Sequence, residues 1–459
     1  MLLEFYGGAG CVTGSCHILK VNNTNILLDC GMFQGKDGHK GENFNFPFEP
    51  RKIDYVILSH GHIDHSGRIP YLYKMGFEGK VVATNATKEL CEVMLKDSGN
   101  IQEMECEHKN KYRREKGEEE LEPLYTLKDA ENSMKLFYGY DYNKEIQLNK
   151  SIKIKFRDAG HLLGSAITEL FINDNGEEKK IVYSGDLGNK SRPIIKDPST
   201  VYNGDYVIME STYGDENHKE GNYFVELIEI IKETINKKGN VIIPCFSIGR
   251  TQEILYILNG YVEKGEIKCK VFVDSPLAKE ATEVFKNNEF VFDEEAKKLL
   301  NLGDDPLDFK NLSFTKNVED SKCINSHKDS CIIISSSGMC DAGRIKYHIL
   351  NNIEDEKNSI IFVGYQCNGT LGRKILNKDK EVKILGKIKS VNAKVYNING
   401  LSGHADKKGI LSWIDGFEGN PKKIILVHGE DKVREKLAQT LENKGYNVIK
   451  PFPGDKITL

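Results

Sequence analysis

The chain of 459 residues contains no apolar run close to the roughly 20 residues that a helix needs to cross a bilayer. Its first eight residues also lack the basic segment and apolar stretch of a secretory signal peptide. None of its 11 cysteines forms a Cys-x-x-Cys pair, and their odd number and scattered positions are typical of isolated thiols. These absences predict a cytoplasmic protein with no membrane partner.

A strong positive charge is absent as well. The chain has 64 Lys and Arg against 68 Asp and Glu, which gives a net charge of −4. This balance excludes a protein that is held on nucleic acid by its total charge, although a local basic groove is still compatible with it. Apolar residues make up 39% of the chain and charged residues 29%, which indicates packed cores rather than general disorder.

The pattern of apolar residues divides the chain into three blocks. Residues 1–205 read mainly as short strands joined by tight loops, except that 88–148 has apolar residues at helical spacing, including Phe137 and Tyr138. Residues 206–385 alternate between strand and helix patterns, which predicts a parallel sheet with right-handed crossovers. Residues 386–459 return to short strands, one of them over 394–398, and a helix.

The strongest chemical signal comes directly after an apolar strand pattern. His60, His62, Asp64 and His65 lie within six residues, in a tight turn followed by Ser66 and Gly67. Imidazole nitrogens and carboxylate oxygens suit zinc, so this turn predicts a zinc site. The alternative is a polar loop with incidental histidines.

Single polar residues follow other strand patterns beside glycine. His161, Asp186 and His428 each have this position. Taken alone, each is adequately explained as a structural histidine or a turn aspartate. Because one loop cannot surround two ions, the three together indicate further ligands for the same site.

These residues resemble the motifs of a known family. The order Asp29, His60-x-His62-x-Asp64-His65, His161, Asp186 resembles that of the metallo-β-lactamase fold. The segments 210–214, 402–406 and 427–429 resemble the three motifs of its β-CASP branch, whose members process nucleic acids. Within that branch the likeness is to the endonuclease subunit of the cleavage and polyadenylation specificity factor and its prokaryotic relatives, over nearly the whole chain.

The resemblance implies an α/β fold, an αββα metallo-β-lactamase sandwich with an inserted β-CASP domain built on a parallel α/β sheet. The expected domains are 1–205 and 386–459 for the sandwich and 206–385 for the insert. The resemblance also implies two zinc ions. One is expected on His60, His62 and His161, and the other on Asp64, His65 and His428. Asp186 is expected to bridge them, and Asp29 to support the ligand loop from behind.

The implied activity is hydrolysis of RNA phosphodiester bonds by a hydroxide that the two zinc ions activate. The endonuclease role is expected, and a 5′-3′ exonuclease role is left open. The expected catalytic residues are Asp64, Asp186, His404 and Glu210. His404 is expected to act as general acid or to stabilise the leaving 3′ oxygen, with Glu210 as its partner. Contacts with substrate are expected from five other residues: Arg250, Ser336, Gly338, Arg344 and Ser402. For the two arginines, a surface salt bridge is the alternative.

The expected partner is single-stranded RNA, because His428 in the third β-CASP motif is associated with RNA substrates. Since relatives often dimerise, a homodimer is also expected. Three alternatives are kept: a β-CASP DNA nuclease, a catalytically silent RNA-binding subunit, and a small-molecule metallo-hydrolase. Glu210 and His404 argue against the last of these.

Overall fold

The computed structural model describes residues 1–35, 41–218, 221–364, 366, 369–398 and 400–459. They form two compact units. Unit 1 comprises Met1–Ser191, Lys196–Asn217 and His404–Leu459, and unit 2 comprises Arg192–Ile195 and His218–Gly403.

The first part of the chain, up to residue 217, contributes most of unit 1. Its strands are β1 (Leu2–Gly7), β2 (Cys16–Val21), β3 (Thr24–Leu28), β4 (Tyr55–Ile57), β5 (Lys80–Thr84), β6 (Phe137–Tyr140), β7 (Glu145–Asn149), β8 (Ile152–Asp158), β9 (Ala166–Asp174), β10 (Glu177–Tyr183) and β11 (Tyr206–Glu210). Its helices are α1 (Ile63–Ser66), α2 (Ile69–Lys74), α3 (Asn85–Glu115) and α4 (Leu127–Ser133).

The middle part forms unit 2. Its helices are α5 (Tyr223–Asn236), α6 (Arg250–Glu263), α7 (Pro276–Asn287), α8 (Glu294–Asn301), α9 (Val318–Ile324), α10 (Ile345–Asn352) and α11 (Leu371–Leu376). Its strands are β12 (Val241–Pro244), β13 (Lys270–Asp274), β14 (Leu312–Phe314), β15 (Cys331–Ser335), β16 (Ser359–Phe362), β17 (Glu381–Ile384), β18 (Lys387–Ser390) and β19 (Lys394–Asn397).

The last part returns to unit 1. It consists of α12 (Lys407–Ile414), β20 (Lys423–Val427), α13 (Asp431–Asn443), β21 (Val448–Ile449) and β22 (Lys456–Thr458).

Unit 1 is a four-layer sandwich. One seven-stranded sheet has the order β22-β1-β2-β3-β4-β5-β6, and the other has the order β21-β20-β11-β10-β9-β8-β7. Buried side chains of both sheets, such as Phe5 and Phe156, form the core between them. A second cluster lies between the first sheet and the helices around α3, and a third lies between the second sheet and α12 and α13. This confirms the predicted αββα architecture.

Unit 2 contains the predicted parallel sheet. Its six strands have the order β14-β13-β15-β12-β16-β19, and every pairing is parallel. The central strands β12, β15 and β16 are buried along their whole length, as expected when helices cover both faces.

Two details differ from the sequence predictions. Phe137 and Tyr138 belong to strand β6, which pairs with β5, and not to a helix, because a short apolar run does not distinguish the two by periodicity alone. Strand β19 pairs with β16 in unit 2, whereas the sequence placed 394–398 in the C-terminal part of the sandwich. The compact units therefore have other boundaries than the predicted breaks after residues 205 and 385.

In the described part of the chain, none of the helices combines the length and the apolar composition that crossing a membrane requires.

Candidate metal centre

The polar residues of unit 1 that the sequence singles out follow the ends of its strands. Asp29 comes after β3, and the turn from His60 to His65 comes after β4 in the same sheet. In the facing sheet, His161 follows β8, Asp186 follows β10, Glu210 ends β11 and His428 follows β20. Since the two sheets pack face to face, these ends meet at one edge of the sandwich.

Backbone hydrogen bonds fix the turn after β3 against α1. The amide of Cys30 donates to the carbonyl of His65 at 2.7 Å, and that of Ser15 donates to Asp64 at 2.9 Å. A Cβ atom on Gly31 would lie 1.6 Å from the carbonyl oxygen of Asp64. Only glycine therefore permits this close approach, which sets the position of Asp64 and His65.

Replacing Gly31 by alanine is expected to destabilise the protein by about 3 kcal/mol or more, because a backbone oxygen occupies the space that the new methyl group needs. Thermal or urea unfolding of the purified variant measures this loss. Gly260→Ala is the matched control. Gly260 is exposed within α6 and has no atom within 4 Å of its added Cβ, so alanine should stabilise by about 0.5–1 kcal/mol there. Equal stability of the two variants would contradict the packing argument.

Four side chains form the first cluster of the site. His62 Nδ1 lies 3.0 Å from His60 Nε2 and 3.2 Å from His161 Nε2. Asp186 Oδ2 lies 3.5 Å from His60 Nε2 and 3.6 Å from His161 Nε2. Four ligands at ~2.0–2.1 Å around a tetrahedral zinc ion lie about 3.3–3.4 Å apart, so the spacing fits such an ion.

The other oxygen of Asp186 belongs to a second cluster. Asp186 Oδ1 lies 3.3 Å from His65 Nε2, and His428 Nε2 lies 3.5 Å from Asp64 Oδ2. Asp64 Oδ2 is 4.0 Å from His65 Nε2. The structure thus brings all seven predicted ligands together, and the two clusters match the two ligand sets that the resemblance implies, with Asp186 between them. Asp186, Glu210, His404 and His428 form a further group that could hold an ion.

Three buried atoms of the second cluster also fit a metal ion. His65 Nε2, His428 Nε2 and Asp186 Oδ1 have no hydrogen-bond partner among the described residues. Buried polar atoms are normally bonded, and such atoms converging from three separate chain segments are typical of ligands. The donor set of imidazoles and carboxylates is the one that zinc takes.

Asp29 lies behind the clusters, and its carboxylate accepts four hydrogen bonds. Its Oδ1 accepts from the Ser59 amide at 2.7 Å, while its Oδ2 accepts from the Ser59 hydroxyl at 2.7 Å. The same Oδ2 contacts His65 Nδ1 at 2.6 Å and accepts from the Tyr183 hydroxyl at 2.6 Å. With Nδ1 bound in this way, Nε2 of His65 points to the cluster. Neither Ser59 nor Tyr183 was assigned a role from the sequence, although Ser59 directly precedes His60 and Tyr183 ends strand β10.

Thr212 has a similar position behind His428 and was also missed. Its hydroxyl lies 3.0 Å from His428 Nδ1 and donates to the backbone carbonyl of the same residue at 3.1 Å. Because Nδ1 of His428 makes this contact, Nε2 is the ring nitrogen that belongs to the second cluster.

Electrostatics keep the shared carboxylate ionised. Burial raises the pKa of Asp186, but the imidazoles of His428 and His65 outweigh burial and hold the pKa well below its usual range. Burial likewise lowers the pKa of His65, but Asp186 and Asp29 outweigh it and raise the pKa well above its ordinary value. The two carboxylates therefore stabilise the charged form of His65.

Glu210 and His404 form a pair beside the clusters. Glu210 is fully buried, and its Oε1 accepts from the Leu187 amide at 2.6 Å and contacts His404 Nδ1 at 3.1 Å. His404 Nδ1 lies 3.8 Å from Asp186 Oδ2, and its side chain is 21% exposed. Burial lowers the pKa of His404, but Glu210 and Asp186 outweigh it and raise the pKa to about 9. A protonated, partly exposed imidazole next to the clusters is suited to donate a proton.

Three family models match successive parts of the chain. The model described as the metallo-beta-lactamase superfamily matches residues 9–217. The Beta-Casp domain matches residues 251–375, and the model described as the Zn-dependent metallo-hydrolase RNA specificity domain matches residues 389–451.

Curated relatives align with nearly the whole chain. Ribonuclease TTHA0252 of Thermus thermophilus is 34% identical over 444 residues, which are 96% of each chain. Transcription termination factor FttA of Methanocaldococcus jannaschii is 33% identical over 453 residues, which are 96% of this chain and 68% of that protein. This chain belongs to the β-CASP branch of the metallo-β-lactamase superfamily. Its family and its His/Asp clusters make it a metal-dependent hydrolase.

A solved structure has a similar fold. A protein of unknown function from Enterococcus faecalis V583 superposes with a TM-score of 0.59 at 14% sequence identity, over 100% of this chain and 99% of that one.

The five residues predicted to contact substrate lie in unit 2 of this β-CASP protein. Arg250, at the start of α6, forms an ion pair with Glu253, which also accepts from Arg192 Nη2 at 2.6 Å. Arg192 Nη1 donates to the carbonyl of Ser402 at 2.5 Å. Arg192 was not singled out from the sequence. For Arg250 the ion pair with Glu253 is the alternative that the sequence left open beside substrate contact.

The other three residues lie near the carboxyl ends of strands β13 and β15. Ser336 follows β15, and its hydroxyl lies 3.0 Å from that of Ser275, which follows β13. Arg344 Nη1 donates to Asp274 Oδ1 at 2.8 Å. Gly338 accepts at its carbonyl from Gln366 Nε2 at 2.9 Å.

Proposed function

We propose that this protein hydrolyses phosphodiester bonds of single-stranded RNA with two zinc ions. The observation that carries the proposal is the position of Asp186, whose two oxygens belong to two separate clusters of imidazoles and carboxylates. Two-metal hydrolases of phosphate esters use this arrangement, with ions about 3.5–4 Å apart.

In this proposal His60, His62 and His161 would hold one zinc ion, and Asp64, His65 and His428 would hold the other. Asp186 would contribute an oxygen to each group, and Asp29 orients His65. When bound, the ions would supply an activated water and neutralise the charge that develops on the phosphate.

His404 and Glu210 act on the leaving group. As the bond between phosphorus and the 3′ oxygen breaks, the protonated imidazole of His404 donates its proton to that oxygen. Glu210 keeps the imidazole oriented through Nδ1 and favours its charged form. In the same displacement the oxygen of a water molecule forms the new bond to phosphorus, and the proton that this water loses passes to solvent, from which His404 is reprotonated. The products have a 5′-phosphate and a 3′-hydroxyl.

RNA is favoured over DNA for two reasons. The match to the RNA specificity domain includes His428, and relatives that align over most of their length include proteins named Ribonuclease TTHA0252 and RNase J-like protein. Ser336, Gly338, Arg344, Arg250 and Ser402 are proposed to contact the RNA. Hydroxyl, amide and guanidinium groups are suitable donors for phosphate oxygens.

Incubation with labelled RNA and labelled DNA of the same sequence, with and without a chelator, tests the proposal. Cleavage of RNA that the chelator abolishes and added zinc restores is expected, with DNA left intact. Cleavage of DNA would identify a DNA nuclease, and RNA binding without any cleavage would identify a silent subunit. Either result would overturn the proposed function. Endonuclease and 5′-3′ exonuclease activity are distinguished by the lengths of the first products.

Replacing Asp29 by asparagine is expected to weaken zinc binding by about 10- to 100-fold, because His65 loses the charged group that orients it. Competition with a zinc chelator measures the affinity. Tyr183→Phe, which removes only one hydrogen bond to Asp29, should have a smaller effect. An unchanged affinity in Asp29→Asn would exclude the supporting role.

A cytoplasmic location and a homodimer are part of the same proposal. The first is supported by the scattered thiols, and the second by the family resemblance. Light scattering coupled to gel filtration measures the oligomeric state.

A further inference from the structure

Unit 2 has an exposed aromatic ring at the carboxyl edge of its parallel sheet. Phe246 lies two residues beyond the end of β12, a strand in the interior of the sheet. Its side chain is 47% exposed, although burial of a phenylalanine is strongly favourable. The ring therefore needs an explanation other than packing in the core.

Two glycines hold one side of this ring. A Cβ atom on Gly338 would lie 3.1 Å from Cδ2 and Cε2 of Phe246, and one on Gly364 would lie 3.7 Å from Cε2. The hydroxyl of Thr251 donates to the Phe246 carbonyl at 2.7 Å, which also fixes the backbone. The ring is thus positioned against the bare backbone of two strand-end loops, while nearly half of its surface is exposed.

Polar groups surround the same strand ends. The hydroxyl of Ser247, the next residue, lies 3.0 Å from those of Ser275 and Ser336, which lie 3.0 Å from each other. Arg344 lies in the segment after β15. The backbone amide of the next residue, Ile345, donates to the Ser336 carbonyl at 3.2 Å. The Arg344 guanidinium is held by Asp274, and the Arg344 side chain is 23% exposed. Ser247 and Ser275 are buried, so the groups that a phosphate oxygen could reach are the partly exposed Ser336 and Arg344.

A nucleotide in a single strand has both features, a charged phosphate and an unpaired base with a π face. Proteins that bind single-stranded nucleic acid combine polar contacts to the backbone with aromatic rings on which bases stack. An apolar peptide would match the ring but not the polar Ser336 and Arg344 in the neighbouring segment after β15. The local chemistry therefore favours a nucleotide.

We propose that Phe246 is a stacking site for one unpaired base of the RNA. The inference rests on the proposed function and deepens it, because it gives unit 2 a part in base recognition and not only in phosphate binding. Phe246 touches substrate in this proposal but takes no part in bond cleavage.

The test measures binding of a short single-stranded RNA to the full-length protein in the His404→Ala background, in which the RNA is expected to survive. A single abasic nucleotide is placed at each position in turn. At one position the missing base should weaken binding by about 5- to 100-fold. In Phe246→Leu, which keeps an apolar side chain without a flat ring, this penalty should disappear. Phe246→Trp, which again has a flat ring, should keep the penalty.

Phe290→Ala is the matched control. Phe290 is 59% exposed in the same unit and lies in a 3-10 turn over residues 289–291, between α7 and α8. This variant should keep the full abasic penalty. Thermal unfolding confirms that each variant is folded. A penalty of the same size in Phe246→Leu and in its parent would overturn the stacking site, even with RNA cleavage intact. A parent that binds no RNA would overturn the proposed function itself, and the stacking site with it.

Discussion

Replacing Asp186 by alanine is expected to slow RNA cleavage by at least about 10³-fold and to reduce the zinc content of the purified protein. Both clusters lose the one carboxylate that they share, and the imidazoles around it lose a buried negative charge. Stabilisation of developing phosphate charge by bound ions contributes several kcal/mol, and each 1.36 kcal/mol corresponds to about a factor of ten. Single-turnover cleavage and metal analysis on one preparation measure both effects.

The matched control for Asp186 is Glu169→Gln. Glu169 is a buried carboxylate in the same sheet, but it pairs with Arg157 and Lys180 and lies in neither cluster. The Glu169→Gln protein should keep its zinc even if its free energy of unfolding is lower than that of the parent protein. An Asp186→Ala protein with normal zinc content and normal rate would show that the two clusters are not the catalytic centre.

Replacing His404 by alanine is expected to slow cleavage by about 10²–10⁴-fold while zinc content is unchanged. The imidazole contacts Glu210 rather than completing either of the two clusters around Asp186, so its loss removes the proton donor and no proposed ligand. A substrate with a leaving group that needs no proton should recover much of the lost rate. Cleavage kinetics with both substrates, together with metal analysis, measure these effects.

A different arrangement would give a different result for His404. Asp186, Glu210, His404 and His428 also lie close enough to hold one ion. If an ion were bound there, His404→Ala would lose zinc, and the general-acid role would be excluded. Glu210→Gln separates the roles further. It should keep zinc and lose less activity than His404→Ala, because the imidazole is still present but its charged form is less favoured.

Much of the candidate site could be predicted from the sequence because its residues directly follow strand patterns. His60, His62, Asp64 and His65 are close along the chain, so local geometry alone brings them near each other. The apolar strands before them are visible from composition, and the ends of strands in packed sheets tend to meet at one edge. The parallel sheet of unit 2 could be predicted for another local reason, the alternation of strand and helix patterns along the chain.

The environment of each residue could not be predicted in this way. Phe137 and Tyr138 form a strand because β5 is available to pair with them, which no local pattern reveals. Arg250 has a motif typical of substrate contact, but its pairing with Glu253 was only one of two readings open to the sequence.

By itself, the sequence determined the kind of chemistry: imidazole and carboxylate ligands in a family order, a sandwich interrupted by a parallel-sheet insert, and a histidine with an acidic partner. Only the tertiary structure decided that one oxygen of Asp186 belongs to each cluster, and that Ser59 and Tyr183 support Asp29. The physical reason is that ligand types and strand patterns are local properties of the chain. Contacts between residues far apart in sequence depend instead on how two sheets pack, and that packing results from the whole core.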